Sequence, residues 1–171
     1  MHDVAHARAK ARKLLNEFGV RAPPVPIERI ARSLGVKVEY APFDDELSGM
    51  AFVKDGKSMI GINSLHHPNR QRFTLAHELA HIHLHSEQLA MAVHVDKGSL
   101  RRDLVSATGT DSNEIEANAF AAELLMPREL LSAFIEGKNF DFEDENLLAG
   151  LAKKFRVSLM ALQLRLQSEA D

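Results

Sequence analysis

The chain has 171 residues, 45% of them hydrophobic and 26% charged, the composition of an ordinary globular protein long enough to bury a core. A net charge of −3 excludes a global basic field of the kind that gathers nucleic acid or anionic membrane. The absence of cysteine excludes disulfides and thiolate metal sites, so any metal must be held by histidine and carboxylate.

The first stretch, MHDVAHARAKARKLLNEF, lacks the apolar segment of a secretory signal. No apolar run reaches the roughly 20 residues that span a bilayer, so a cytoplasmic location is expected. Val4, Ala7, Ala11, Leu14, Leu15 and Phe18 recur at helical spacing, and Gly19 stops the helix. IERIARSLG predicts a second short helix ended at Gly35, and VKVEY then alternates like a strand. SGMAFVKDGKSMIGINS predicts a hairpin, because Asp55-Gly56 suits a type I′ turn. A helix is predicted from near Asn69 to about His85, followed by an irregular loop over DKGSLRRDLVSATGTDSN. A further helix, roughly 112–126, is closed by Pro127, which disfavours helical geometry at Met126. PRELLSAFIEG, an acidic loop (DFEDEN) and two short helices separated at Arg156–Ser158 complete the chain.

This order predicts one α+β domain with a small antiparallel or mixed sheet. Residues 1–137 form its expected core, and 138–171 a helical segment packed on it. That last segment has the cadence of a helix-turn-helix, with Lys153, Lys154, Arg156 and Arg165 forming a local basic patch. Its second helix, however, offers Leu159, Met160, Leu162, Leu164 and Leu166, where a DNA-reading helix needs polar side chains. Direct DNA binding is therefore not expected. A non-catalytic, metal-containing DNA-binding regulator or repressor-binding adaptor remains the alternative to an enzyme.

The chemistry concentrates in TLAHELAHIHLH, residues 74–85. His77-Glu78-Leu79-Ala80-His81 is HExxH, and on a helix the two histidines stand about 40° apart around the axis and about 6 Å along it. Both imidazoles can grip one ion while Glu78 reaches an ion-bound water, the arrangement of metal-assisted hydrolysis. Leu75, Leu79 and Ile82 face the other way and give the helix a surface to bury. His83 points away from the metal side. His85 returns to it but lies about 12 Å beyond His77, too far to share an ion, and reads as an outer partner. The metzincin pattern needs glycine at 84 and histidine at 87, and the chain has Leu84 and Glu87, which excludes it.

A catalytic zinc takes three protein ligands. DSNEIEANAFAAELLMP offers Glu114 and Glu116. With Glu114 at zero on a helical wheel, Asn118 lies at about 40°, whereas Glu116 and Glu123 fall near 180–200°. Glu114 thus shares a face with Asn118, which could fix a metal-bound imidazole, and Glu116 with Glu123 is expected to face solvent. Asp111-x-x-Glu114 also fits a capping box, so a capping role for Glu114 stays open. Zinc is the default for two histidines and one carboxylate, and manganese is also compatible. For the oxyanion donor, Tyr40, His66, His67, His85, His94 and the Arg101-Arg102 pair are all candidates. The strand Ile60-Gly61-Ile62-Asn63, just before the HExxH helix, either holds an extended peptide by strand addition or is an ordinary core strand.

RQRFTLAHELAHIHLH followed by EIEANAFAAELLMP resembles the ImmA/IrrE metallo-endopeptidases, a zincin-like family, and the likeness runs from about Ala11 to Leu166. The resemblance is to the short, ImmA-like form. It implies zinc on His77, His81 and Glu114, the first glutamate of the ExxAN-type segment, with Glu78 as general base. It further implies a protein substrate, a helix-turn-helix transcriptional repressor of the XRE type, whose cleavage relieves repression of stress-response or mobile-element genes.

Overall fold

The computed structural model describes residues 3–96, 110–137 and 139–170. The described elements are α1 (Val4–Glu17), α2 (Ile27–Ser33), β1 (Lys37–Ala41), β2 (Gly49–Lys54), β3 (Lys57–Asn63), α3 (Pro68–Leu84), α4 (Ser86–Leu89), β4 (His94–Asp96), α5 (Thr110–Leu125), α6 (Arg128–Ile135), α7 (Glu145–Phe155) and α8 (Leu159–Ala170). This is the expected α+β class. Local chemistry sets the boundaries. The Asp3 side chain accepts from the His6 N–H to start α1. Asp55 and Gly56, both at positive φ, make the β2–β3 turn. Pro68 opens α3 where its missing N–H costs nothing, and the His67 ring accepts from the Asn69 N–H.

The four strands lie in the order β1-β3-β2-β4, with β1 parallel to β3 and the other pairs antiparallel. The sheet is therefore mixed, and β1 and β4 are its edges. Of the two readings of residues 60–63, the pairing favours the ordinary core strand. β3 is paired on both sides, with Ile60 matched to Val38 and Ala51 and Ile62 to Tyr40 and Gly49. Ile60, Gly61, Ile62 and Asn63 thus have no free backbone edge to offer a peptide. Ile60 and Ile62 are core residues, and the buried Asn63 amide donates to the carbonyls of Phe43, Asp44 and Leu47, pinning the β1–β2 connection.

α3 packs on β2 and β3, and α5 packs on α3 and on α1. Gly49 permits the close approach of sheet and helix: a Cβ there would fall 2.6 Å from Thr74 Cγ2 and 2.9 Å from the Gly61 carbonyl. The packing of α1 overturns the solvent-facing reading of Glu116 and Glu123. Glu116 accepts from the Asp3 N–H at 2.8 Å. Glu123 is 1% exposed and holds the buried Arg165 of α8 by a short ion pair. The wheel gave the angle between residues of α5 correctly but could not tell which neighbour covers each face. Arg165 also donates to the Met126 carbonyl and to Glu169, so it anchors α8 to the end of α5 instead of belonging to a surface basic patch. Most of the predicted loop, 97–109 with Arg101-Arg102, lies outside the described residues, while 110–113 already belong to α5.

Candidate metal centre

His77, Glu78 and His81 sit in the buried middle of α3, at 0%, 0% and 3% exposure. Glu114 projects from α5 to meet them. Its carboxylate lies 3.1 Å from His77 Nε2 through Oε2, and 3.1 Å from His81 Nε2 through Oε1. The two Nε2 atoms are 3.2 Å apart. Ligand atoms around a tetrahedral zinc with bonds of about 2.0 Å are spaced by about 3.3 Å, so the observed triangle fits that ion.

The outer partners fix the tautomers. Asn118 Oδ1 lies 2.9 Å from His77 Nδ1, which donates to it and leaves the Nε2 lone pair facing inward. Glu116 Oε2 accepts from His85 Nε2 at 2.9 Å, so His85 Nδ1 accepts in turn from His81 Nδ1 at 3.3 Å. His81 Nε2 is thereby also left as an inward lone pair. Asn118 and His85 thus stand one shell behind the two imidazoles, and Glu116 orients His81 through His85.

Glu78 carries the other decisive feature. Its Oε1 is buried with no hydrogen-bond partner among the described residues, while Oε2 accepts from His94 Nδ1 at 2.8 Å. Burial pushes Glu78 above the usual carboxylate range, against the pull of His94 and His77. For Glu114 burial acts in the same upward direction, but the neighbouring imidazoles of His77, His81 and His94 outweigh it and hold the group well below that range. Burial, reinforced by the charges of His77 and His94, brings His81 down to about 4 and keeps it neutral at physiological pH. His77 and His94 go the other way. Although burial opposes it, neighbouring carboxylates draw His77 up, and Glu114 with Glu78 draws His94 up to about 10. A cluster of buried acids that holds protons on imidazoles would also hold a divalent cation in their place.

His94 is the residue whose importance sequence reasoning did not single out. It comes from β4, a three-residue strand with too short a pattern to announce itself, and was one of several oxyanion candidates. The structure disperses the others that it describes. Tyr40 is half-exposed on β1, at the opposite edge of the sheet. His66 bonds the Asp45 carbonyl at 3.0 Å, His67 caps α3, and His85 stands behind His81. His83 packs near Phe120, away from the site, as its angle on the helix requires.

The IrrE N-terminal-like domain matches residues 31–167, a span that includes α3, β4 and α5. The chain belongs to this family. The radiation response metalloprotease IrrE of Deinococcus deserti is 31% identical over 135 residues, covering 75% of this chain and 43% of that protein. The chain therefore spans less than half the length of this IrrE relative. A solved Mycobacterium tuberculosis transcriptional regulator shares the fold with a TM-score of 0.58 at 17% identity, over 92% of this chain and 45% of its own. An IrrE-like metalloprotease domain implies a metal ion, and the His77, His81 and Glu114 donor set is chemically suited to one.

Proposed function

We propose that this IrrE-like chain is a zincin-like endopeptidase that binds zinc through His77, His81 and Glu114 and uses Glu78 as general base. The observation that carries this reading is the convergence of both Nε2 atoms and the Glu114 carboxylate beside a buried, unpartnered Glu78 Oε1. Zinc, when bound, polarises a peptide carbonyl and acidifies a water. Glu78 Oε1 takes a proton from the attacking water and returns it to the leaving amine. Asn118 and His85 keep the Nδ1 protons of His77 and His81 turned away from the ion. The same donor set accepts manganese, and zinc is the ion favoured by its tetrahedral spacing.

The substrate we assign is a helix-turn-helix repressor of the XRE type, cut in the cytoplasm to relieve repression of stress or mobile-element genes. An extended substrate cannot add to β3, which is paired on both sides, and must use another edge of the sheet. We treat residues 1–171 as one unit in which 138–171 packs on the catalytic core. Its helix-turn-helix cadence does not favour the alternative of a DNA-binding regulator, because Arg165 is buried by Glu123. No helix among the described residues is long and apolar enough to cross a membrane. The test is incubation of the zinc-loaded chain with XRE-type repressors from its own genome, read by intact mass. Two fragments whose masses sum to the repressor plus one water, formed with zinc and suppressed by chelator, are expected. Intact repressors throughout would remove the substrate assignment.

A further inference from the structure

Three imidazoles, not two, turn towards Glu114. His94 Nε2 lies 2.7 Å from Glu114 Oε1, beside the 3.1 Å contacts of His77 Nε2 and His81 Nε2. The ring of His94 stacks on that of His81 with centroids 3.7 Å apart and an interplanar angle of 26°, so His94 must swing away from His81 to take a tetrahedral place on the ion, where two ligand imidazoles stand about 5 Å apart. Donor atoms of His77, His81, His94 and Glu114 all lie within 4.8 Å of one another. The second nitrogens follow one rule as well. His77 Nδ1 is held by Asn118, His81 Nδ1 by His85, and His94 Nδ1 by the Glu78 carboxylate at 2.8 Å. A carboxylate on the far nitrogen of a histidine whose near nitrogen faces the ion is the usual outer support of a ligand.

We propose that His94 is a fourth protein ligand, which closes the metal site of the resting chain. The inference rests on the metallopeptidase reading above. A zinc held by four side chains has no position for water, and four-ligand zinc sites are structural and unreactive. The same imidazole occupies Glu78 Oε2, so a single side chain blocks the coordination position and engages the base. Its carrier is suited to release. β4 has three residues, lies at the sheet edge, and is joined to the sheet through β2 alone among the described residues. Substrate binding opens the site by drawing His94 and its short strand off the ion, with α3 and α5 left in place.

The test is X-ray absorption at the zinc edge of the zinc-loaded full chain, beside the His94→Gln variant, with zinc affinity measured by chelator competition. Three imidazoles in the wild type and two in the variant are expected, together with zinc affinity at least about tenfold weaker in the variant. The wild-type imidazole count decides the matter even if the variant folds poorly. Two imidazoles in the wild type would overturn the proposal and leave the peptidase reading standing. A wild-type chain that retains no zinc would overturn both.

Discussion

Asn118 offers the sharpest test of how the centre is built. Its Oδ1 accepts from the Nδ1–H of His77, a side chain with 0% exposure, at 2.9 Å. Asn118→Ala leaves that N–H in a buried place without an acceptor, a loss of about 1–3 kcal/mol in general. It also frees the imidazole proton to move to Nε2, where it would occupy the lone pair meant for the ion. Loss of such an outer partner weakens metal binding by about 10–100-fold, equivalent to about 1.4–2.7 kcal/mol. Asn118 is itself only partly buried, so water can replace some of the lost contact and the lower half of that range is expected. Asn118→Asp, which keeps an acceptor and adds charge, should bind zinc at least as tightly as the wild type. The assay is zinc competition against a fluorescent chelator, with far-ultraviolet circular dichroism to establish folding. A folded Asn118→Ala protein with zinc affinity within twofold of wild type would refute the argument that this hydrogen bond sets the tautomer of His77.

Three further outcomes follow from the packing and the charges. Gly49→Ala places a methyl group 2.6 Å from Thr74 Cγ2 and 2.9 Å from a backbone carbonyl, so overpacking should cost about 1–3 kcal/mol and lower the melting temperature by about 2–12 °C; an unchanged melting curve would contradict the tight approach of β2 to α3. Arg165→Met removes the main partner of the buried Glu123 carboxylate, which keeps the Arg128 N–H at 3.4 Å and Arg12 at 3.9 Å, and should cost about 3–5 kcal/mol, about 6–20 °C in melting temperature, with part of the loss recovered by adding Glu123→Gln. For pH, burial holds the Glu78 carboxyl of the metal-free chain above the ordinary carboxylate range. An NMR titration of the metal-free chain should therefore show Glu78 taking up its proton as pH falls through a value above that range, and uptake only at or below about 4.3 would contradict the burial argument.

The parts of this molecule that were legible in its sequence are the ones governed by local geometry. Helical spacing put His77, His81 and Glu78 on one side of α3, and the wheel put Glu114 with Asn118, because angles within a helix depend on nothing outside it. The distance along the helix likewise placed His85 behind His81. What the wheel could not contain was the identity of the neighbours. Glu123 is covered by α8 and Glu116 meets both the Asp3 N–H before α1 and His85 at the end of α3, contacts about forty, more than a hundred and about thirty positions away respectively. Strand order was hidden for the same reason. β3 follows β2 through a local turn, yet its second neighbour is β1, and only that non-local pairing shows that residues 60–63 are internal. β4 escaped notice because three residues carry no readable alternation, and its register with Gly49 and Ala51 spans more than forty positions. His94 was thus visible as a histidine but not as a member of the site.

The central claim is that Glu78 supplies the base at a metal held by other side chains. The most direct measurement compares zinc-loaded wild type with zinc-loaded Glu78→Gln on the same repressor substrate, with bound zinc quantified in both. Equal zinc in the two proteins and peptide cleavage slower by about 10²–10⁴-fold in the variant are expected. Equal zinc with equal cleavage would contradict that claim.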